Sequence, residues 1–331
     1  MKNNRRISSI NWHNYGVVIV FVLLFVVMSV ASPAFLTARN LMNLVRQVAV
    51  IGVIAIGTSF VCLTGGIDVS VGSVAALAGV ISAMCASPNG PANWADRTAV
   101  GTPWPFITCI LAAVLVGAVC GFINGFLTSK FKMPPMIVTL AMMSAARGIS
   151  LLITEGSPVH YLTDTYKEIA GGTIGSFPYL GLYYIVALLI AYFLLRHTVF
   201  GRHISAVGGN ELAAENAGIN VVKVKIIVYT IAGVMAGLGG MLLASRLGSG
   251  APTAASGYEM DAIAASVVGG VSLSGGVGSV FGSLMGVLII GVLNNGFTML
   301  NVNSYIQDIC KGVIIVAAVA YDLSGKRKKG N

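Results

Sequence analysis

Few ionisable residues fall inside the long apolar stretches of this chain: Asp68, Arg147, Asp308 and Lys311, with Glu259 and Asp261 close to the start of another. A charge at membrane depth is costly unless it is paired or wetted, so each is a functional candidate by default. Asp308 and Lys311 stand three apart, a spacing that lets two side chains meet on one helix face, and a structural ion pair is expected there. Asp68 stands in a glycine-rich break, and its expected partner is Arg147. Neutral groups within or beside apolar stretches, Ser70, Ser73, Asn124, Thr139, Asn294 and Asn295, suit hydrogen bonding to an uncharged polar solute. Phe122 and Phe297 suit stacking on a sugar ring. The competing reading for each polar group is ordinary bonding between helices, worth about 1 kcal/mol or less.

Other chemistry is missing. A phosphate-binding loop needs Gly-Lys followed by Ser or Thr. The chain has Gly-Lys only at Gly325-Lys326, followed by Arg327. Any ATP and magnesium are therefore expected on a partner polypeptide, and no cofactor on this one. His13, His197 and His203 fall in polar flanks and His160 in a loop, which suits neither a catalytic triad nor a metal site. Cys62, Cys85, Cys109, Cys120 and Cys310 form no CxxC pair and read as free thiols acting as small hydrophobes. No catalytic residue and no metal ligand is assigned.

The elements that position these groups are membrane helices. Of 331 residues, 56% are hydrophobic and 9% charged, with a mean hydropathy of +0.86. A soluble domain carries about 25% charged residues. Apolar runs predict about ten spans, near residues 15–30, 45–63, 71–86, 106–128, 136–153, 179–195, 226–244, 258–270, 279–300 and 305–321. The third and eighth are short and are expected to be broken or re-entrant. The net charge of +9 is better explained by the positive-inside rule than by nucleic acid. With both termini inside, 13 of the 20 basic residues fall in cytoplasmic segments, against five outside: Arg39, Arg46, Arg97, Lys167 and Arg246. Residues 35–46 are expected to lie at the outer interface as an amphipathic segment. The first apolar run follows Lys2, Arg5 and Arg6 and is read as an uncleaved span rather than a signal peptide, because Pro33 falls in the small-residue stretch. The loops 87–105 and 154–178 are rich in Pro, Gly, Asn and Trp.

Three spans carry small residues four apart: Ala113, Gly117, Gly121 and Gly125; Ala232, Ala236, Gly240 and Ala244; Gly278, Gly282 and Gly286. These make close-packing faces in lipid. The glycine-serine breaks at 65–74 and 269–280 echo each other, as in transporters whose duplicated broken helices line a cavity. Gly65, Gly66, Gly72, Gly269 and Gly270, with Arg147, are the candidate gating positions. Asp68, Ser70, Phe122, Asn124, Asn294, Asn295 and Phe297 are the candidate substrate path.

The longest polar stretch between two apolar segments is 196–225. Within it, Asn210, Glu211, Leu212, Ala213, Ala214, Glu215, Asn216, Ala217 and Gly218 spell a short helix, with Asn210 as its cap and Gly218 as its stop. A capped helix held between spans is a surface for contact. Asn210, Glu211, Ala213, Ala214, Glu215, Asn216 and Gly218 are its candidate residues.

The segments GGIDVSVGS (65–73), FGRHISAVGGNELAAENAGINV (200–221) and GYEMDAIAASVVGGVSLSGGVGSVFGSLMGVLIIGVLNNG (257–296) resemble the permease subunit of ribose-type ABC monosaccharide importers, in that order and over most of the chain. The resemblance implies an all-α membrane protein with a type II-like importer fold, forming one permease domain over residues 1–331. Residues 1–14 and a basic tail, 323–331, would be cytoplasmic, and 196–225 would be the coupling loop. It also implies a homodimer in the bacterial cytoplasmic (inner) membrane, a cytoplasmic tandem ATPase, and a periplasmic or lipid-anchored sugar-binding protein. ATP binding would draw the coupling helices together and switch a cavity between outward and inward access. The loop 87–105, with Trp94 and Trp104, would shape the docking surface for the binding protein. The substrate would be ribose or a related pentose or hexose. A secondary carrier working without ATP is the alternative, and a membrane enzyme lacks its catalytic groups.

Overall fold

The structure is a computed structural model that describes residues 12–88 and 104–327. The middle of the 87–105 loop, Trp94 included, and the two extreme termini lie outside the described residues. The elements are α1 (Trp12–Ala31), α2 (Ala38–Leu63), α3 (Val71–Ala86), α4 (Phe106–Lys130), α5 (Pro135–Thr154) and α6 (Asp164–Gly171), then a hairpin of β1 (Thr173–Ile174) and β2 (Phe177–Pro178). There follow α7 (Tyr179–His197), α8 (Val199–Gly209), α9 (Glu211–Asn216), α10 (Val221–Leu247), α11 (Tyr258–Val268), α12 (Val280–Met299) and α13 (Ser304–Arg327).

Among the described residues, six helices are long and apolar enough to cross a membrane: α2, α4, α5, α7, α10 and α12. Shorter apolar helices cover Gly16–Ala31 and α3. The expected count of about ten is therefore not confirmed. The eighth predicted span, expected to be short, is α11, whose 11 residues rise about 16 Å, roughly half a bilayer core. Non-helical chain at residues 250–257 precedes it.

Small residues set the centre. α10 lies against α2, α3 and α4. A Cβ on Gly117 of α4 would strike the Gly233 carbonyl of α10, and one on Gly237 would strike that of Ala113. The α4 stripe is thus a packing seam inside the chain. The α12 stripe behaves likewise, with Gly282 against the Gly269 carbonyl and Gly286 against that of Ala265. With no water to drive helices together in lipid, such close backbone approach supplies the dispersion that holds them.

Within 35–46, Phe35 is fully buried, and Asn40 is buried in the first turn of α2, capped by Thr37, while Leu36, Thr37, Ala38 and Arg39 are exposed. The loop 154–178 carries α6 and the hairpin. Tyr166 of α6 is buried and donates from Oη to Ser82 Oγ (3.0 Å), and burial pushes its phenol above the usual range.

Candidate substrate path and coupling surface

The stretch between α7 and α10 is stiffened by three successive caps. Thr198 Oγ1 accepts from the Gly201 N–H (3.2 Å), Asn210 Oδ1 from Ala213 N–H (2.9 Å) and Asn220 Oδ1 from Lys223 N–H (2.9 Å). Each satisfies an orphan donor of its helix, worth about 1 kcal/mol. The sequence showed the second helix but not α8 before it. Gly218 ends α9 with φ +84°. Ala214 is buried, while Ala213, Glu215, Asn216 and Gly218 face outward. Glu211 is not free: its Oε2 meets Lys225 Nζ at 2.6 Å. Leu212, which the sequence reading had not singled out, is 73% exposed on this six-residue helix.

The two glycine-rich breaks come together beneath α8. Gly65, with φ +75°, follows the end of α2, and Gly270, with φ +84°, follows α11. Gly276 N–H donates to the Leu63 carbonyl (2.9 Å). Gly208, at the end of α8, sits so close to that pair that a Cβ would strike the Leu63 carbonyl. Gly66 lies under the Tyr229 hydroxyl, and Gly72 abuts the Ala255 carbonyl and the Glu259 carboxylate. The internal echo is therefore a physical contact: 63–66 and 274–276 touch each other and the last turn of α8.

Asp68 does not pair with Arg147. Its Oδ1 accepts from Ser70 N–H (2.8 Å) and Ser70 Oγ (2.6 Å), so the turn opening α3 satisfies it locally. Asn124 Nδ2 donates to Ser70 Oγ (3.0 Å), and Asn124 Oδ1 is left without a partner. Arg147 donates instead to the carbonyls of Pro252 (2.6 Å) and Ala254 (3.1 Å). The physical reason is the non-helical chain at 250–257, where a multi-donor guanidinium satisfies the carbonyls of Pro252 and Ala254.

The Asp308–Lys311 pair is present at 3.7 Å, but the closer partner of Lys311 is the buried Asp261, at 3.2 Å. Asn294 Nδ2 donates to the same Asp261 carboxylate (3.1 Å). Asn295 and Asn40 exchange amide hydrogen bonds, 2.9 Å each way. These two asparagines bond helix to helix. Phe122 is half exposed on α4, near Phe126 (centroids 6.0 Å), and Phe297 is partly buried on α12. The expected path residues thus divide: Asp68, Ser70 and Asn124 form one cluster, Asn294 and Asn295 join others, and the aromatics stand apart.

A polar cavity of about 260 Å³ opens at the α8–α9 end, between the end of α2, the α4–α5 connection, α9 and α10. Thr128, Tyr229, Gly65, Glu211 and Lys225 are among its walls. Thr128 and Tyr229 were not singled out from the sequence, where one hydroxyl in an apolar helix carries no distinguishing signal.

Relatives match over most of the chain. Ribose import permease protein of Bacillus subtilis is 43% identical over 91% of this chain and 89% of its own length. Ribose import permease protein of Escherichia coli K12 is 40% identical, covering 92% of each chain. An L-arabinose ABC transporter permease protein of Azospirillum brasilense is 37% identical over 93% of this chain and 86% of its own. No solved structure matches. The family model described as "Branched-chain amino acid transport system / permease component" matches residues 40–319. With apolar crossing helices and that match over most of its length, the chain is a multi-pass membrane protein that belongs to this permease family.

Proposed function

We propose that this chain is the membrane subunit of an ATP-driven monosaccharide importer, with ribose or a related pentose or hexose as its substrate. The observation that carries this is 40–43% identity to ribose import permeases over nine-tenths of the chain. In this reading the permease works as a homodimer in the bacterial cytoplasmic membrane, both termini inside, with about ten membrane-embedded segments. A partner tandem ATPase binds ATP and magnesium, and a periplasmic or lipid-anchored protein delivers the sugar. α9 is the coupling helix. Its exposed Leu212 and outward Glu215 offer the ATPase an apolar anchor and a charge, and the caps on both sides let the helix transmit force as a rigid piece. That force reaches the breaks at 63–66 and 274–276 through Gly208, and rigid-body movement there alternates access.

The test is uptake of radiolabelled ribose, arabinose and xylose by cells carrying the permease, its ATPase and its binding protein. Uptake that disappears when the ATPase is inactivated supports the reading. Undiminished uptake with an inactive ATPase makes this a carrier that works without ATP.

A further inference from the structure

Two arginines stand unpaired at the end of the bundle opposite α8 and α9. α2 and α10 run antiparallel, with Gly57 packed on Ala232 and Gly239 on Ile54 and Val50. Arg46 lies one turn beyond Val50 on α2, and Arg246 two turns beyond Gly239 on α10, so both fall on the facing sides of the two helices, near one level. The charge of Arg46 is felt at Arg246, and so is that of the Tyr258 hydroxyl at the start of α11. Neither guanidinium makes a hydrogen bond or an ion pair among the described residues, and Arg46 Nε is buried without an acceptor. The carboxylates of α11 are committed elsewhere. Asp261 holds Lys311 (3.2 Å) and Asn294 (3.1 Å), while Glu259 Oε1 accepts from Gly257 N–H (3.2 Å) and its charge is felt at Arg147. The end of the α10 dipole favours one cation, Arg246 in its last turn. It does not account for the second. Both residues are half-buried, where two like charges repel more strongly than in open water.

We propose that Arg46 and Arg246, with the Tyr258 hydroxyl beside them, hold a phosphate-type oxyanion between α2, α10 and α11. A guanidinium is a planar fork that bonds phosphate oxygens two at a time, so two forks from separate helices suit a tetrahedral oxyanion better than a monatomic ion. The anion turns a repulsion between α2 and α10 into a tie, and supplies the acceptors that the protein does not. Two sources present this group: free phosphate and the headgroup of an anionic phospholipid. The inference does not rest on the importer reading.

The test is the thermal midpoint of the full permease chain in nanodiscs, without a partner ATPase, whose nucleotide site would itself take phosphate. Phosphatidylcholine discs in phosphate-free buffer are compared with the same discs given inorganic phosphate, at an ionic strength matched with chloride, and with discs containing phosphatidylglycerol. At ten times its dissociation constant the anion should raise the wild-type midpoint by roughly 3–6 °C. Arg46→Gln and Arg246→Gln should each abolish that rise. Arg46→Lys and Arg246→Lys should each reduce it, since the charge stays and the fork is lost. Without the anion, each glutamine variant should melt at or above the wild type, because a repulsion is removed and no partner is left unpaired. A rise with inorganic phosphate supports the site as one for a free anion, and a rise with phosphatidylglycerol alone supports it as a headgroup site. No rise with either, or a rise that survives both glutamine variants, overturns it. A glutamine variant that melts well below the wild type in phosphate-free phosphatidylcholine discs also overturns it, because the arginine then has its partner within the protein.

Discussion

Gly208 and Gly209 are neighbours at the end of α8, yet an alanine at each should behave differently. A Cβ on Gly208 would strike the Leu63 carbonyl and come to 2.5 Å from Gly276 N, the two ends of the hydrogen bond that joins the breaks. A Cβ on Gly209 would find no heavy atom within 4 Å. Overpacking of this kind costs about 1–3 kcal/mol. Weakening the Gly276–Leu63 bond adds about 0.5–1.5 kcal/mol. Alanine recovers about 0.5–1 kcal/mol over glycine in a helix. The expected net cost for Gly208→Ala is therefore about 1–3 kcal/mol, and Gly209→Ala should be neutral or slightly stabilising. At about 2–4 °C per kcal/mol, Gly208→Ala lowers the thermal midpoint by roughly 2–12 °C. The assay is the thermal midpoint of both purified variants in the same nanodiscs, with sugar uptake measured alongside. Uptake should fall in Gly208→Ala beyond what its abundance explains, because the contact lies between α9 and the breaks. Equal midpoints and equal uptake in the two variants would refute the seating of α8 on the breaks.

Lys311→Met strands the buried Asp261 carboxylate and should cost about 3–5 kcal/mol, read as loss of folded permease in the membrane and rescued by adding Asp261→Asn. Asp308→Asn, whose side chain is 75% exposed, should cost at most about 1 kcal/mol. Arg147→Gln and Asp68→Asn should be additive within about 0.5 kcal/mol in a thermal double-mutant cycle, because they share no partner; strong coupling would restore the ion pair that the structure lacks. Leu212→Glu should leave the thermal midpoint unchanged while the ATPase no longer co-purifies, the behaviour of a contact anchor that is 73% exposed in the free chain.

The chain by itself determined the features that depend on neighbours a few residues away. Its scarcity of charge determined the membrane class. Asn210 three residues before Ala213, with Gly218 behind, determined α9, because capping is settled within one turn. The shortness of the segments 71–86 and 258–270 was legible in the length of their apolar runs. α8 and α6 escaped notice because glycines, polar residues and neighbouring prolines read as loop, and packing against the bundle overrides that weak local preference. Tertiary structure alone decided the partners. Asn40 meets Asn295 across 255 positions, and Lys311 reaches Asp261 across 50. Nothing periodic in the sequence encodes such pairings. Arg147 and Asp68 looked like partners because charge was scarce, but geometry gave each a nearer claim: the unpaired carbonyls of 252 and 254 for one, the Ser70 turn for the other. The breaks were visible as two glycine-rich stretches. Only the folded chain brings them against each other and under Gly208, because close backbone approach is a property of three-dimensional packing and not of composition.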